Sequence, residues 1–293
     1  MTLPSQISIL FFTSIHFGTS SKILGFFVVP SISHQYVYRT LMYELSKRGH
    51  KITIITPNPM NITTENYTEI STHNFSYNHW QETFDFSSSP LRFPELLLYR
   101  FSKFFINLQD ETFSYPLVQK ALKDDYDLIF SEFFLAPSIT ALSHKYKAPL
   151  IGILSLDNLV SGHLIIGNPV NPSYMPATLL PYSDNKSFSE RLRTTLFVCF
   201  SILLHHLYVL PNNDALARKY FGEDLPYIGE IERNVSLLMV NTDFVTGWPR
   251  PYVPAYVSIG GGDAIHMKKN KTLPKVSNAT YLKRKKNNFK HLA

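Results

Sequence analysis

Cysteine is nearly absent from this sequence of 293 residues, in which Cys199 stands alone. A single cysteine excludes an intrachain disulfide, so the burial of apolar side chains has to stabilise the fold. Enough apolar residues are present for a core, because 44% of the chain is hydrophobic and it contains 22 Phe and 17 Tyr. This composition excludes a disordered chain, and the lack of any repeat excludes collagen and coiled coils.

Acidic residues are missing from the C-terminal end, which explains the net charge of +6. From residue 268 onward the chain has nine Lys or Arg and no Asp or Glu. The remainder has 19 basic and 22 acidic side chains, so its net charge is slightly negative. We therefore expect no nucleic-acid partner, and we predict that residues 267–293 are a linker and a basic disordered tail.

Charged side chains are also absent from residues 1–21. The apolar run Ile7–Phe12, followed by the small residues Gly18 and Ser20, is typical of a cleaved secretory signal, which we assign to residues 1–20; a buried N-terminal strand is the alternative. Seven Asn-x-Ser/Thr sequons agree with passage through the secretory pathway, at Asn61, Asn66, Asn74, Asn185, Asn234, Asn270 and Asn278. We expect a glycoprotein in the endoplasmic reticulum lumen or outside the cell, with a surface loop at residues 61–76.

Long hydrophobic runs are missing, and so are the glycine-rich loops that bind phosphate. No stretch of about eighteen apolar residues occurs, so no membrane-spanning helix is evident. The nearest candidate, Thr194–Leu210, predicts a buried core helix that ends at Pro211, with a helix lying on a membrane surface as the alternative. Adjacent His205 and His206 would point about 100° apart on such a helix, so we expect no metal site there. Cys199 is expected to be a core residue of this helix.

The residues after the signal predict a βαβ unit. Lys22–Val29 is an apolar run typical of a buried strand and ends at Pro30. Gln35–Arg48 has apolar residues at helical spacing and is closed by Gly49, which predicts a helix. Lys51–Thr56 predicts the second strand of the unit.

A second unit follows, with strands at Asp127–Ser131 and Pro149–Ser155 on either side of a helix over Pro137–Tyr146. Further elements are predicted as strands at Ser236–Asn241 and Tyr256–Ile259 and as a helical region at Phe93–Lys123. Strands that alternate with helices predict an α/β fold with a doubly wound, mostly parallel sheet over residues 21–266.

Two residues that follow strands are candidate catalytic residues, because ligands bind beyond the carboxyl ends of parallel strands. His34 follows the first predicted strand, and Glu132 follows Asp127–Ser131. If these strands are neighbours, the imidazole could remove a proton from a hydroxyl while the carboxylate holds its tautomer. The alternatives are that His34 makes only a local hydrogen bond where the helix begins, and that Glu132 is a carboxylate in the first turn of a helix.

Three segments, in the same order, resemble the UDP-glycosyltransferase family, and its insect members in particular. The first is KILGFFVVPSISHQYVYRTLMYELSKRGHKITIIT, which has the strand, the P-S-x-S-H motif and the helix ending in R-G-H-x-[VI]-T. The second is YDLIFSEFFLAPSITALSHKYKAPLIGI, and the third consists of SLLMVNTD, RPYVPAYVSIGG and KTLPK. Together they extend over residues 22–275.

This resemblance implies a GT-B enzyme with two Rossmann-like domains, of which the chain resembles the N-terminal, acceptor-binding one. It implies that His34 is the base that deprotonates the acceptor hydroxyl for attack on the anomeric carbon with inversion. It also implies that Glu132 takes the place of the Asp that pairs with this histidine in vertebrate members. The UDP-sugar is a co-substrate, and we expect no cofactor and no metal.

After Lys275 the sequence departs from the family, whose donor-binding domain has W-x-P-Q and H-G-G elements and precedes a membrane anchor. We expect a family member that transfers glucose or glucuronic acid from a UDP-sugar to a small lipophilic acceptor and is inactive without a donor-binding domain. A full-length form would be anchored in the membrane. The alternative is a lumenal module that binds apolar molecules or associates with full-length family members, and contact with a membrane surface through Thr194–Leu210 and the tail also stays open.

Overall fold

The computed structural model describes residues 20–84, 93–243 and 250–260. Within them, seven strands form one sheet in the order β3-β2-β1-β4-β5-β6-β7, and all six pairings are parallel. The strands are β1 (Lys22–Phe26), β2 (Lys51–Thr56), β3 (Tyr67–Ser71), β4 (Leu128–Glu132), β5 (Leu150–Leu154), β6 (Leu237–Val240) and β7 (Tyr256–Ser258). The chain winds outward from β1 in one direction and from β4 in the other, which confirms the doubly wound parallel sheet.

Helices cover both faces of this sheet. They are α1 (Ile32–Lys47), α2 (His73–Thr83), α3 (Pro94–Ser114), α4 (Pro116–Ala121), α5 (Ala141–Tyr146), α6 (Val160–Ile165), α7 (Phe188–Leu204), α8 (Leu210–Phe221) and α9 (Ile228–Ile231). On one face Leu24 and Phe26 pack with Phe105 of α3, and on the other Ile23 packs with Tyr38 of α1. Neighbouring side chains of β1 thus point into two different cores, as the pleat of a strand requires.

The predicted boundaries shift by a few residues at both ends of the first unit. Strand β1 ends at Phe26, although Phe27, Val28 and Val29 stay buried beyond it. Helix α1 begins at Ile32, three residues earlier than predicted, so His34 lies within its first turn. Gly49 follows the helix with φ of +92°, a conformation that glycine adopts without strain.

The surface loop predicted at residues 61–76 is wrong. This segment contains the edge strand β3 and the start of α2. Tyr67 and Ile70 are buried against the core, while the polar residues between them remain at least partly exposed. A short edge strand with so many polar side chains has no apolar run that would reveal it.

The helix predicted over Pro137–Tyr146 is confirmed only in its second part. Pro137–Thr140 forms a 3₁₀ turn, and the α-helix α5 begins at Ala141. A 3₁₀ turn is common where an α-helix starts.

The helix predicted to end at Pro211 in fact continues through it. A π-helical turn at His205–Val209 joins α7 to α8, and Pro211 stands in the first turn of α8. The wider π turn lets proline follow without the backbone clash that it causes inside an α-helix.

One face of this long helix is buried and the other is exposed. Thr194, Phe197, Val198 and Ser201 are buried in α7, so the segment is only partly the core helix that we predicted. Cys199 is exposed, contrary to the expectation of a core residue, because it lies on the outer face. By length and composition the combined helix Phe188–Phe221 could also cross a membrane, a property that core helices of soluble proteins share.

Candidate functional site

The end of β1 and the end of β4 meet where the winding of the sheet reverses. The two strands are paired, with Phe26 opposite Ser131, so the residues that follow both strands share one edge. Such a reversal point is where open α/β sheets bind ligands. At this edge Nδ1 of His34 lies 2.7 Å from Oε1 of Glu132. The structure therefore confirms that the two predicted side chains come together.

Glu132 is fully buried and accepts three hydrogen bonds from described residues. Oε1 accepts from His34 and from the hydroxyl of Tyr38, each at 2.7 Å, and Oε2 accepts from the backbone N–H of Val29 at 3.0 Å. These donors offset the cost of removing a carboxylate from water. Glu132 is the last residue of β4, so the alternative that it begins a helix is wrong.

The pairing with Glu132 determines which nitrogen of His34 carries the proton. An ionised carboxylate can only accept, so Nδ1 is the protonated nitrogen and Nε2 keeps its lone pair. Among the described residues none forms a hydrogen bond with Nε2, and the side chain of His34 is 16% exposed. This arrangement leaves a basic nitrogen that a ligand can reach.

Tyr38 is a member of this site that the sequence analysis missed. Burial, together with the negative charge of Glu132, raises the pKa of the Tyr38 hydroxyl well above its ordinary value of 10. The hydroxyl therefore stays protonated and donates to Glu132 throughout the physiological pH range. Its ring stacks on Phe27 with 4.4 Å between ring centroids. Tyr38 could have been predicted from its position four residues after His34, which places both on the same face of α1.

Gln35 holds the connection between β1 and α1 in place. The buried side-chain amide donates to the carbonyl of Val29 at 3.2 Å and accepts from the hydroxyl of Thr56 at 2.8 Å. Because Thr56 is the last residue of β2, this bridge ties the start of α1 to two neighbouring strands. The backbone on which His34 lies is thereby fixed.

A small apolar cavity, partly open to solvent, lies near His34. Phe134 forms one wall, and its ring lies edge-on to the imidazole with 6.4 Å between centroids. The remaining lining residues are Phe133, Leu135, Ala136, Pro137, Asn158, Leu159, Ser161, Gly162, Ile165, His205 and Glu232. A second small apolar cavity shares Leu135, Leu159, Ser161 and His205 with it. The two cavities adjoin and are lined mainly by apolar side chains.

His205 and His206 have different surroundings. His205 is buried and contacts Glu232, whereas His206 is exposed. In the described ranges no three His, Cys, Asp or Glu side chains gather closely enough to hold a metal ion.

Comparison with known proteins shows the family to which the chain belongs. The family model described as UDP-glucoronosyl and UDP-glucosyl transferase matches residues 22–283. The chain belongs to this family. This membership confirms the resemblance of the three sequence segments to the UDP-glycosyltransferases. The chain therefore belongs to a family of enzymes.

Curated UDP-glycosyltransferases of Dactylopius coccus are similar to the chain. UDP-glycosyltransferase UGT5 is 30% identical over 282 residues, which cover 94% of this chain and 51% of the relative. UDP-glucosyltransferase 2 is 29% identical over 280 residues, with 92% and 52% covered. The chain thus spans about half the length of the curated UDP-glycosyltransferases it matches. Among solved structures, the glycosyltransferase of kitacinnamycin is 14% identical, with a TM-score of 0.45 over 87% of this chain and 56% of that one.

Proposed function

We propose that residues 21–266 form the acceptor-binding domain of a UDP-glycosyltransferase and that His34 is its catalytic base. The hydrogen bond between His34 and Glu132 carries the proposal, because it leaves Nε2 unprotonated at the reversal point of the sheet. The apolar cavity beside Phe134 supports a small lipophilic acceptor as the substrate.

The reaction would proceed by a single displacement. Nε2 of His34 takes the proton of an acceptor hydroxyl as its oxygen attacks the anomeric carbon of the sugar. The bond from that carbon to UDP breaks, UDP leaves with the electron pair, and the configuration is inverted. Glu132 stabilises the imidazolium that forms, and Tyr38 and Val29 keep the carboxylate oriented.

None of the described residues is assigned to bind the sugar donor. We propose glucose or glucuronic acid as the transferred sugar, since the names of relatives include both glucosyl- and glucuronosyltransferases. We also propose that turnover requires a donor-binding domain. In the relatives, such a domain would lie in the half that the chain does not cover. Positioning of both substrates accounts for much of the rate of such a transfer.

The test is product formation by two proteins, the chain alone and the chain joined to the C-terminal half of UDP-glycosyltransferase UGT5 from Dactylopius coccus. Each is incubated with UDP-glucose or UDP-glucuronic acid and a panel of phenols, and glycosides are detected by mass spectrometry. We expect product from the joined protein, with a loss of about 10²- to 10⁴-fold for His34→Ala. His206→Ala removes an exposed histidine and serves as the matched control.

An unchanged rate for His34→Ala would contradict the catalytic assignment. If no protein forms product but apolar phenols bind to the chain, the alternative of a lumenal binding module is favoured. Co-purification with a full-length relative would then test whether the chain is a partner of such proteins.

A second candidate function is contact with a membrane surface. The outer face of the long helix exposes the α7 stripe, which we define as Phe188, Leu192, Leu196, Leu203 and Leu207. Apolar side chains along one helix face favour insertion into a lipid interface. We expect the double variant Leu203→Ser, Leu207→Ser to reduce flotation with liposomes. Deletion of residues 276–293 tests whether the basic tail contributes to flotation. Equal flotation of the double variant and the unaltered chain would exclude the stripe.

A location in the endoplasmic reticulum lumen, or outside the cell, remains part of the proposal. The signal at residues 1–20 and the tail at residues 267–293 lie, apart from Ser20, outside the described residues. Four sequon asparagines are exposed, namely Asn61, Asn74, Asn185 and Asn234. Their exposure supports glycosylation in the secretory pathway.

A further inference from the structure

A second histidine–carboxylate pair lies in the wall of the apolar cavity. Nε2 of His205 is 3.0 Å from Oε1 of Glu232, and the two side chains are 8% and 3% exposed. Both line the same cavity as Phe134, whose ring contacts His34. The pair is therefore reached from the space that the proposed acceptor would occupy, yet the transfer reaction gives it no role.

Each member of the pair keeps one polar atom without a partner. Nδ1 of His205 and Oε2 of Glu232 are buried, and no described residue forms a hydrogen bond with either. Burying such atoms unpaired costs free energy, and most buried polar groups in proteins have partners. A ligand that supplies the missing hydrogen bond recovers this cost.

The local backbone at His205 is also unusual. The residue begins the π-helical turn that joins α7 to α8, and Glu232 begins a 3₁₀ turn directly after α9. Isolated π turns inside long helices are rare and occur frequently at functional sites. The turn places His205 on the buried side, while His206 next to it is exposed.

The free atoms of the pair are hydrogen-bond acceptors. With Glu232 ionised and Nε2 of His205 donating to it, Oε2 and Nδ1 both have lone pairs available. Among the described residues, the side chains that line the cavity include no Lys or Arg that would favour an anion. Asn158 lines it too, and its buried Nδ2 is a donor without a described partner. A hydroxyl group can donate to the pair and accept from Asn158, whereas a carboxylate can only accept.

We propose that His205 and Glu232 bind a second hydroxyl of the acceptor, separate from the hydroxyl that reacts. The preferred substrates are then apolar ring compounds with two hydroxyl groups. This inference rests on the proposed function for the identity of the ligand as an acceptor, but the binding site itself can be tested without turnover.

The experiment measures binding to the full chain by isothermal titration calorimetry, in the absence of UDP-sugar. The probes are 2-naphthol and its 2,6- and 2,7-dihydroxy analogues, which differ by one hydroxyl. We expect at least one diol to bind about tenfold more tightly than 2-naphthol, the effect of one additional buried hydrogen bond. Glu232→Gln replaces the accepting Oε2 with an amide that donates, and should reduce the preference to about twofold or less.

Matched variants separate the site from general effects on folding. Glu230→Gln is the control for Glu232→Gln, because it changes an exposed carboxylate two residues before Glu232. His206→Gln is the control for His205→Gln. Both controls should keep the diol preference. His205→Gln should lose the preference while its affinity for 2-naphthol stays within about threefold of the unaltered chain. Thermal unfolding confirms that each variant is folded, and only folded variants are compared.

The proposal is overturned if the unaltered chain binds neither diol more tightly than 2-naphthol, or if Glu232→Gln retains the preference. His34→Ala should leave the diol preference intact, because it changes the other end of the site. If His34→Ala does not reduce turnover, only the proposed catalytic base is contradicted. If the unaltered chain shows no preference for a diol, only this inference is contradicted.

Discussion

His34 and Tyr38 lie one helical turn apart on α1, and both donate to the same oxygen of Glu132 at 2.7 Å. Residues four apart share a helix face, so a single buried carboxylate can be held by both. Tyr38 prevents the carboxylate from turning away from the imidazole. The orientation of the proposed base thus depends on a residue whose own side chain is fully buried.

Tyr38→Phe removes this second donor and leaves the ring stacked on Phe27. A hydrogen bond to a charged group contributes about 1.5–3 kcal/mol, so we expect a lower melting temperature and a decrease in kcat/KM of about tenfold. Thermal unfolding and kinetics of the joined protein measure the two effects. Tyr36→Phe changes an exposed tyrosine of the same helix and should have neither effect. Equal behaviour of the two variants would mean that Tyr38 does not position the carboxylate.

Glu132→Gln tests whether the carboxylate fixes the tautomer of His34. An amide can donate to Nδ1, which places the proton on Nε2 and removes the base, so we expect a loss of about 10³-fold or more in kcat. Glu132→Asp keeps the charge but is shorter by one methylene, and a smaller loss is expected. Both are compared with Glu223→Gln, which changes an exposed carboxylate. If Glu132→Gln retains more activity than Glu132→Asp, the tautomer argument fails.

Asp157 makes the fold sensitive to acid. Burial alone would raise the pKa of its carboxyl, but the nearby imidazole of His163 and the charge of Arg250, whose Nη2 lies 3.2 Å from Oδ2, lower it below the ordinary value of 3.8. A carboxyl whose pKa is lowered by folding stabilises the folded state at pH values above its unfolded pKa, and this contribution is lost as the pH falls below about 4.

The consequence is measured with Asp157→Asn. We expect its melting temperature to lie below that of the unaltered chain at pH 7 and the difference to shrink below about pH 4. Asp224→Asn, at an exposed position, should show no such difference at either pH. A gap that is constant from pH 7 to pH 3 would show that the charge of Asp157 does not contribute.

Glycan occupancy tests the proposed passage through the secretory pathway. When the chain is expressed with residues 1–20 in a secreting eukaryotic cell, we expect glycans at Asn61, Asn74, Asn185 or Asn234, because their side chains are exposed in the fold. Asn66 is half-buried and its carbonyl accepts a hydrogen bond from Ile52, so lower occupancy is expected there. Peptide mass spectrometry after deglycosylation in ¹⁸O water gives the occupancy of each site. A secreted chain with no glycan at all would contradict the prediction.

The central strands and the proposed catalytic pair were predictable from the sequence because both depend on local patterns. Strands β1, β2, β4 and β5 are short apolar runs, as expected for strands buried on both faces, and parallel pairing places the residues after them at one edge. His34 and Glu132 follow from that placement alone.

The remaining parts of the site depend on contacts that no local pattern encodes. The N–H of Val29 belongs to the backbone, and its role is set by the position of β4. His205 and Glu232 are 27 residues apart and meet only because α8 and α9 pack together. Likewise the strand β3 has too few apolar residues to be recognised before its edge position is known.

The role of His34 as the base is tested most sharply by how the effect of His34→Ala depends on the acidity of the acceptor. A general base is needed for an alcohol that holds its proton, but not for a phenol that is already ionised. With the joined protein at pH 8, we predict a loss of about 10²-fold or more on a simple alcohol and of less than about tenfold on 4-nitrophenol. An equal loss on both acceptors would contradict the assignment of His34 as the base.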